Sequence, residues 1–442
     1  MRTVFYILGS VLALVIAAAL VVPMVVDVND YKDEIVAEAR RHTGRDLAID
    51  GPIRLSILPS PALTAEGVRF ANAPGSDEPD MARIGSLQVN VAAVPLLSGT
   101  IDVTRVALVG ARIVVETMAD GSANWEFAAP GAPAAAPAQP GSQNAGETAK
   151  GPGRQVAIRD FSIEDGTLIW RDGRSGSALQ FDRINARLQA DSLQGPFDLR
   201  VAFESRGLPF TAELRGGLPA AAPRAATLAL RGPGGQLRFS GTIAEVSGAP
   251  ALDGRLSAEG DSLAALAQAL ATASGRQSPA LPPAFARTFT LQTAIAGDPG
   301  RISAKDIKLA LGADSGQGEI TATLGDSPRA DVKFSFPKLD FDQLLAGATG
   351  TAPAAADRPP SAAAPTASAA PGSFLTDVEG SVDLSVGTIV YHGRTAQQIV
   401  VRADLSQGVL NLHELGGQFP GNTAIAAAGT IDASKEIGRA HV

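Results

Sequence analysis

The residues that could carry out chemistry in this chain are few and far apart. It has no cysteine and four histidines, which are His42, His392, His413 and His441. A zinc site assembled from local sequence needs ligands at close spacing, as in HExxH, and no such spacing occurs. His392 and His413 could still share a metal across strands, but ordinary exposed strand positions explain both more simply. We therefore predict no metal site.

Three further patterns resemble catalytic motifs only in part. Residues 173–177 lack the GxSxG spacing of a nucleophile elbow and are typical of a turn. The glycine-rich segment 232–235 is not followed by the Lys-Ser/Thr pair of a phosphate-binding loop. Acidic residues cluster around Trp170, namely Asp160, Glu164, Asp165 and Asp172. Paired carboxylates can hydrolyse glycosides, but on alternating strands such acids more often form a solvated face or turns. We predict that the chain is not an enzyme and binds no cofactor.

An apolar segment at the N-terminus is the first element that could position the rest of the chain. Val4–Val26 is 23 residues long and carries no charge, which is enough to cross a bilayer as a helix. Arg2 precedes it and Asp27 follows, so residues 1–3 are expected in the cytoplasm and the bulk of the chain outside. A cleaved signal peptide is the alternative, but the apolar run continues seven residues past its candidate cleavage site at Ala17–Ala19.

Composition limits the classes of partner. The net charge of −8 argues against a nucleic-acid partner. With 45% hydrophobic residues the chain can bury a large core, although aromatic residues make up only 5%. The 47 glycines and 30 prolines are typical of many short strands joined by turns.

Most of the chain reads as strands. From Asp46 onward, apolar and polar residues alternate between turn signals, which predicts a mainly β fold whose strands are apolar on one face. Short helices are predicted over residues 30–42, with Asn29 or Asp30 as N-cap and Gly44 as C-cap, and over residues 261–273 and 340–346. Segments 128–153 and 347–373, rich in Ala, Pro and Gly, are predicted to be disordered linkers. They divide the part outside the membrane into regions 27–127, 154–346 and 374–434. Repeated strand-and-helix patterns within 154–346 suggest an elongated array.

The apolar strand faces are the candidate functional surface. Three short helices are too few to cover them, so either a facing sheet or lipid chains must exclude water there. A closed sandwich core and an open trough for lipid are both consistent with the alternation. The candidate residues of the trough are Leu87, Val89, Val91, Leu237, Phe239, Ile243, Ile307, Leu309, Leu311, Val332, Phe334, Phe336, Ile399, Val401 and Leu405.

An ordered series of motifs resembles the N-terminal part of the AsmA family. It contains the segment TGRDLAIDGPIRLSILPSPALTAEGVRFAN at residues 43–72, then PLLSG at 95–99, and DGSANWEF at 120–127. Residues 378–432, with GTIVYHG and GVLNLHELGGQFPGNT, resemble the family's C-terminal portion.

The resemblance implies a single-pass inner-membrane protein with its bulk in the periplasm of a Gram-negative envelope. Its fold would be an elongated, curled antiparallel sheet, similar to bridge-like lipid-transfer proteins, that forms an apolar groove for phospholipid. Its function would be phospholipid transfer toward the outer membrane and envelope assembly, with a periplasmic or outer-membrane protein as a further partner. Two alternatives remain open: a scaffold for outer-membrane protein assembly that transports nothing, and a β-sandwich that binds envelope glycans or peptides.

The C-terminal region ends in the middle of a pattern. The strand and helical turn expected after Gly429–Asp432 are missing, and EIGRAHV at residues 436–442 resembles translated sequencing-adapter DNA. We therefore expect that the natural chain is longer and that residues 435–442 are not native.

Overall fold

The computed structural model describes residues 28–58, 60–97, 102–127, 159–190, 192, 195–220, 222–246, 248–277, 281, 285–324, 328–342, 379–406, 408–421 and 423–432. The described chain is mainly β, as predicted, with twenty strands and few helices. The predicted anchor, both predicted linkers and the C-terminal tail lie outside the described residues. None of the helices within these ranges is long and apolar enough to cross a bilayer.

The chain divides into two compact units. Unit 1 is Met1–Glu213 with Ala273–Gly275, and unit 2 is Leu214–Thr272 with Arg276–Val442. The strands that begin in unit 1 are β1 (Leu47–Ile49), β2 (Ile53–Ser56), β3 (Ala62–Ala71), β4 (Asp80–Val91), β5 (Val103–Thr117), β6 (Asp160–Asp172), β7 (Ser177–Ala190), β8 (Phe197–Ser205) and β9 (Leu208–Gly216).

Unit 2 holds the remaining strands. They are β10 (Arg224–Gly232), β11 (Gly235–Val246), β12 (Ala249–Gly260), β13 (Phe289–Asp298), β14 (Arg301–Leu311), β15 (Asp314–Thr323), β16 (Arg329–Asp340), β17 (Glu379–Tyr391), β18 (Arg394–Ser406), β19 (Val409–Phe419) and β20 (Thr423–Asp432).

In the described part of the chain, three α-helices are bounded: α1 (Lys32–Thr43), α2 (Ala93–Leu97) and α3 (Leu263–Ala273). A 3-10 turn at Val28–Tyr31 precedes α1, which ends at Gly44 in the left-handed conformation (φ 70°), as its C-cap prediction required. The N-cap prediction is wrong. Tyr31 occupies that position without a side-chain cap, and Asn29 instead bonds the backbone N–H of Ile53 at 2.8 Å. Because Asn29 also donates to the Ile53 carbonyl, its amide pairs with β2 as a neighbouring strand would.

Only the start of the helix predicted over residues 340–346, with Asp340 as its cap, lies within the described residues. Asp340 is the last residue of β16, and only residues 341–342 are helical before the description stops. Near this point the Asp342 carboxylate accepts the backbone N–H groups of His392 and Gly393 at 2.6 and 3.1 Å. These bonds hold the pKa of Asp342 below its usual value. They tie the end of β16 to the turn that joins β17 and β18.

Most of the described strand pairs join consecutive strands, and all but two of them are antiparallel. In unit 1, β1 and β2 both pair with β3, and pairing then runs in chain order to β8. In unit 2 it runs in order from β10 to β20. The exceptions are β5 with β6 and β16 with β17, which are parallel. The predicted antiparallel pairing is therefore found everywhere in these ladders except at these two pairs, in each of which the second strand follows a long connection.

Candidate functional site

The sheet of unit 1 has one face on which apolar residues lie directly opposite one another from strand to strand. In the register of the ladder, one row consists of Leu63, Val89, Val106, Phe161, Leu188 and Leu199, one from each of β3 to β8. A second row, two residues further along each strand, consists of Ala65, Leu87, Leu108, Ile163, Ala186 and Val201. All six residues of the first row are half-buried, so part of each side chain remains in contact with solvent.

The apolar face continues past the point where simple alternation would turn it over. Strands β3, β5, β6 and β7 each contain one residue in the left-handed conformation: Gly67 (φ 63°), Gly110 (φ 61°), Asp165 (φ 51°) and Arg183 (φ 48°), respectively. Such a residue breaks the two-residue period by one position. As a result Val68 of β3 packs in the same cluster as Ala65. We call the line formed by Gly67, Gly110, Asp165 and Arg183 the seam.

An apolar pocket lies across the seam between β5 and β8. Its volume is about 350 Å³, within the range of small-ligand sites. Its lining is apolar apart from Thr167 and consists of Ala111, Ile113, Ile163, Gly166, Leu168, Phe181, Ile184, Ala186, Leu199, Val201 and Phe203. The ring of Phe203 packs edge-on against Phe181 and is stacked on the buried Phe210, both at 5.5 Å between centroids. Phe203 is therefore held from two sides beside the pocket.

The opposite face of the unit 1 sheet is charged. Arg187 makes a bidentate contact to Asp160 at 2.7 and 3.2 Å. Near the far end of the strands, Glu78 accepts hydrogen bonds from Arg112 at 3.3 Å and from Arg171 at 3.1 Å. The bonds from Arg112, and then those from Arg171, hold the pKa of Glu78 below its usual value. The two faces therefore differ sharply in polarity.

A helix covers part of the apolar face of unit 1. Val28 and Ile35 pack against the buried cluster of Ile53, Ala65 and Val68. Predicted groove residue Leu87 also packs against this cluster. Val89 and Val91 lie further along β4 and are half-buried, opposite Val106 and Val103.

Unit 2 presents a similar face, and the remaining predicted groove residues lie on it. Helix α3 packs Leu263, Leu266 and Leu270 onto a cluster that includes Leu237, Leu309 and Leu311. Those three predicted groove residues are therefore beneath a helix. Ile307 is buried at 4% exposure, and the other predicted groove residues of unit 2 are half-buried: Phe239, Ile243, Val332, Phe334, Phe336, Ile399, Val401 and Leu405.

Cross-strand register brings several of these residues together. Phe334 lies opposite Leu384, which lies opposite Val401, and Phe336, Val386 and Ile399 form the adjacent row. The rings of Phe334 and Phe336 are stacked at 5.8 Å. On the neighbouring strand β15, Gly316 and Gly318 leave the space that these rings occupy, since a Cβ on either would lie within 3 Å of a ring atom. Sequence alternation indicated the apolar residues but not the glycines that accommodate the two rings.

The candidate chemical residues do not assemble into a site. Within the described ranges, no group of three or more His, Cys, Asp or Glu side chains could hold a metal ion. His413 contacts Asp404, His42 bonds Glu38 at 2.8 Å, and the ring of His392 packs against Tyr391. Hydrogen bonds from Asn411 and then from His413 hold the pKa of Asp404 below its usual value. Of the four acids around Trp170, Asp160 pairs with Arg187, Asp165 belongs to the seam, and Asp172 accepts a bond from Ser175 at 2.7 Å within a turn.

Two of the motifs that carried the family resemblance, TGR and DGSANWEF, meet in space. Arg45 of the TGR motif donates to the carbonyl of Glu126 at 3.2 Å, and its guanidinium lies 4.9 Å from the centroid of the Phe127 ring. Asn124 is fully buried and bonds Glu116, Val114 and Asn72. These residues close one end of unit 1, so the motif residues Arg45 and Asn124 have a structural role.

Comparisons with known proteins agree with these motifs. The model of the AsmA family matches residues 1–275. Protein AsmA of Escherichia coli (strain K12) is 30% identical over 113 residues, which is 26% of this chain and 18% of the relative. The chain thus aligns with less than a fifth of the relative's length. No solved structure matches.

Proposed function

Because this chain belongs to the AsmA family, we propose that it binds phospholipids by their acyl chains on the apolar face of its sheet. We propose that it then carries these whole lipids across the periplasm toward the outer membrane. In this proposal Val4–Val26 anchors the protein in the inner membrane, and the described units lie in the periplasm. A partner in the outer membrane would receive the lipid.

The apolar pocket between β5 and β8 is the observation that carries the proposal. It is open, about 350 Å³ in volume, and lined, apart from Thr167, by side chains that cannot hydrogen-bond a polar ligand. Each methylene removed from water contributes about 0.8 kcal/mol, so ten methylenes would contribute about 8 kcal/mol before the entropy of ordering the chain is subtracted. That attraction has no preferred direction, so an acyl chain can move to the next row of the face without losing a specific bond.

The charged face explains why the lipid would stay on one side. A hydrocarbon chain gains nothing on a surface of paired arginines and carboxylates, because those groups would lose their hydration. The face that carries Val201 is apolar, whereas the face that carries the exposed Ala202 is bordered by Arg187 and Arg200. Neighbouring residues of one strand therefore provide a matched pair of positions for a test.

The test compares Val201→Glu with Ala202→Glu. Both variants place the same charge on β8, one in the pocket and one on the opposite face. Full-length protein is extracted from membranes in mild detergent, and bound phospholipid is quantified by native mass spectrometry. We expect the wild type and Ala202→Glu to retain lipid and Val201→Glu to lose most of it, with unchanged circular dichroism in all three. Absence of lipid from the wild type, or equal retention by both variants, would refute the proposal.

A further inference from the structure

Two loops lie side by side at one end of the unit 1 sheet. Residues 57–61 connect β2 to β3, and residues 92–97 follow β4 and contain α2. The backbone N–H of Val91 donates to the Pro61 carbonyl at 2.9 Å, and the side chain of Asn90 donates to Ser60 Oγ at 3.1 Å. These bonds hold the two loops next to each other. We call this end of unit 1 the loop end.

The loop end exposes apolar side chains. Val94 is 78% exposed, the most exposed of the large hydrophobic residues of the described chain, and Leu58 is 49% exposed. Neither 57–61 nor 92–97 contains a charged residue, and the two charged residues that precede β5 and β6 at this end, Asp102 and Arg159, form an ion pair with each other. An uncharged tip with apolar side chains turned to water is unfavourable in a protein that meets only solvent, and it indicates a contact.

The opposite end of the same sheet is acidic. The connections at that end are residues 44–46, 72–79, 118–127, 173–176 and 206–207, and they carry five acidic residues and three arginines: Asp46, Asp77, Glu78, Asp120 and Glu126, with Arg45, Arg174 and Arg206. Anionic lipid surfaces repel such a cluster and do not repel the loop end. Charge therefore distinguishes the two ends as candidates for contact with a membrane.

The course of the N-terminal helix points to the same end. The chain enters the described structure at Val28, and Asn29 is bonded to Ile53, three residues before the loop-end terminus of β2. Helix α1 then leads from the region of Ile53 to Gly44 and Asp46 at the acidic end. There the backbone N–H of Ala71 donates to the carbonyl of Asp46 at 2.8 Å. Ile53 lies opposite Ala65, nearer the Ala62 end of β3 than the Ala71 end, so the described chain begins nearer the loop end than the acidic end.

We propose that Leu58 and Val94 dock the loop end into the interfacial layer of a phospholipid bilayer, as a second attachment besides the N-terminal segment. The occupant of this surface is the membrane itself, since an uncharged apolar tip beside an apolar chain entry fits a lipid surface. A contact of this kind fixes the orientation of the unit, with the loop end down and the acidic end away from the bilayer. It does not require the pocket to hold lipid.

Because the chain contains no cysteine, single labels can be placed without background. The variants Leu58→Cys and Val94→Cys are labelled with an environment-sensitive fluorophore, and Asp77→Cys, exposed at the acidic end, is the matched control. Each full-length variant is reconstituted into vesicles of phosphatidylethanolamine and phosphatidylglycerol, with and without lipids that carry a nitroxide quencher near the head group. Limited proteolysis checks that each labelled variant keeps the wild-type pattern.

In vesicles, we expect a blue-shifted emission from the labels at positions 58 and 94, and the nitroxide lipids should quench most of their fluorescence. We expect neither effect for the label at position 77. Emission at 58 and 94 equal to that at 77, quenching at only one of the two loops, or quenching at 77 alone would overturn the docking. Native mass spectrometry of the Val201→Glu variant tests the lipid pocket separately, so failure of one proposal does not imply failure of the other.

Discussion

Replacement of Asn124 by alanine tests how unit 1 is closed at its acidic end. The side chain is 0% exposed and makes three hydrogen bonds. Its Oδ1 accepts from the backbone N–H of Glu116 at 3.0 Å, and its Nδ2 donates to the carbonyl of Val114 at 2.8 Å and to Oδ1 of Asn72 at 3.0 Å. Each bond contributes about 1 kcal/mol net, and each buried group left without a partner costs about 1–3 kcal/mol. Val114 is 0% exposed, Glu116 8% and Asn72 9%, so water cannot readily replace the lost bonds, and we expect the free energy of unfolding of unit 1 to fall by about 3 kcal/mol.

The chain offers a convenient reporter for this measurement. Its two tryptophans, Trp125 and Trp170, both belong to unit 1, so tryptophan fluorescence follows the unfolding of that unit. Urea titrations of full-length protein would compare wild type, Asn124→Ala and the control Ser122→Ala. Ser122 is exposed in the same loop and bonds only Asp120, so its loss should change stability by less than about 0.5 kcal/mol. A loss below about 1 kcal/mol for Asn124→Ala, or one equal to that of the control, would refute the structural role of this residue.

Three further changes have defined outcomes. Arg45→Lys should lower the stability of unit 1 by about 1–2 kcal/mol, because lysine cannot both reach the Glu126 carbonyl and stack on the Phe127 ring; the same urea titration measures it, and no change would contradict the contact. Glu78→Gln should flatten the acid dependence of unit 1. The folded-state pKa of Glu78 is depressed, so its contribution is present above the unfolded value of about 4.3 and is lost as pH falls through the lower folded value. Urea midpoints from pH 3 to 7 should therefore converge for the two proteins at low pH, and parallel curves would contradict this. Gly318→Ala should destabilise unit 2 by at least about 1 kcal/mol, since its Cβ would lie 2.2 Å from a backbone oxygen and 2.8 Å from a ring atom; differential scanning calorimetry measures it, and an unchanged transition would show that the sheet absorbs the methyl group.

The strands and the apolar residues could be predicted from the sequence because alternation is a local property. The left-handed cap at Gly44 and a helix over most of Leu263–Ala273 also follow from nearby residues. The seam could not be predicted in the same way. A glycine within a strand can mark a bulge, but nothing local shows that Asp165 and Arg183 also adopt positive φ. Strict alternation therefore misplaces the residues beyond them.

The candidate face was predicted only in its parts. Leu87, Leu237, Leu309 and Leu311 have the same alternating pattern as the other predicted groove residues, yet they pack in clusters that also contain residues of the helical segments. Which part of a sheet a helix covers depends on the chain path in three dimensions. The pocket likewise depends on register across β5–β8, which is set partly by the parallel pairing of β5 with β6. No pattern within a single strand encodes that pairing.

The two parallel pairings have a consequence for how this protein tolerates change. To begin β6 beside the start of β5, the chain must travel back along about 13 residues of strand, or about 40 Å. The ladder on either side of each return is held by hydrogen bonds and is independent of the length of the connecting peptide. Insertions or deletions in the connections that precede β6 and β17 need not move a strand of the protein. We expect it to accept circular permutation, or expression as separate fragments, at 128–153 and 347–373.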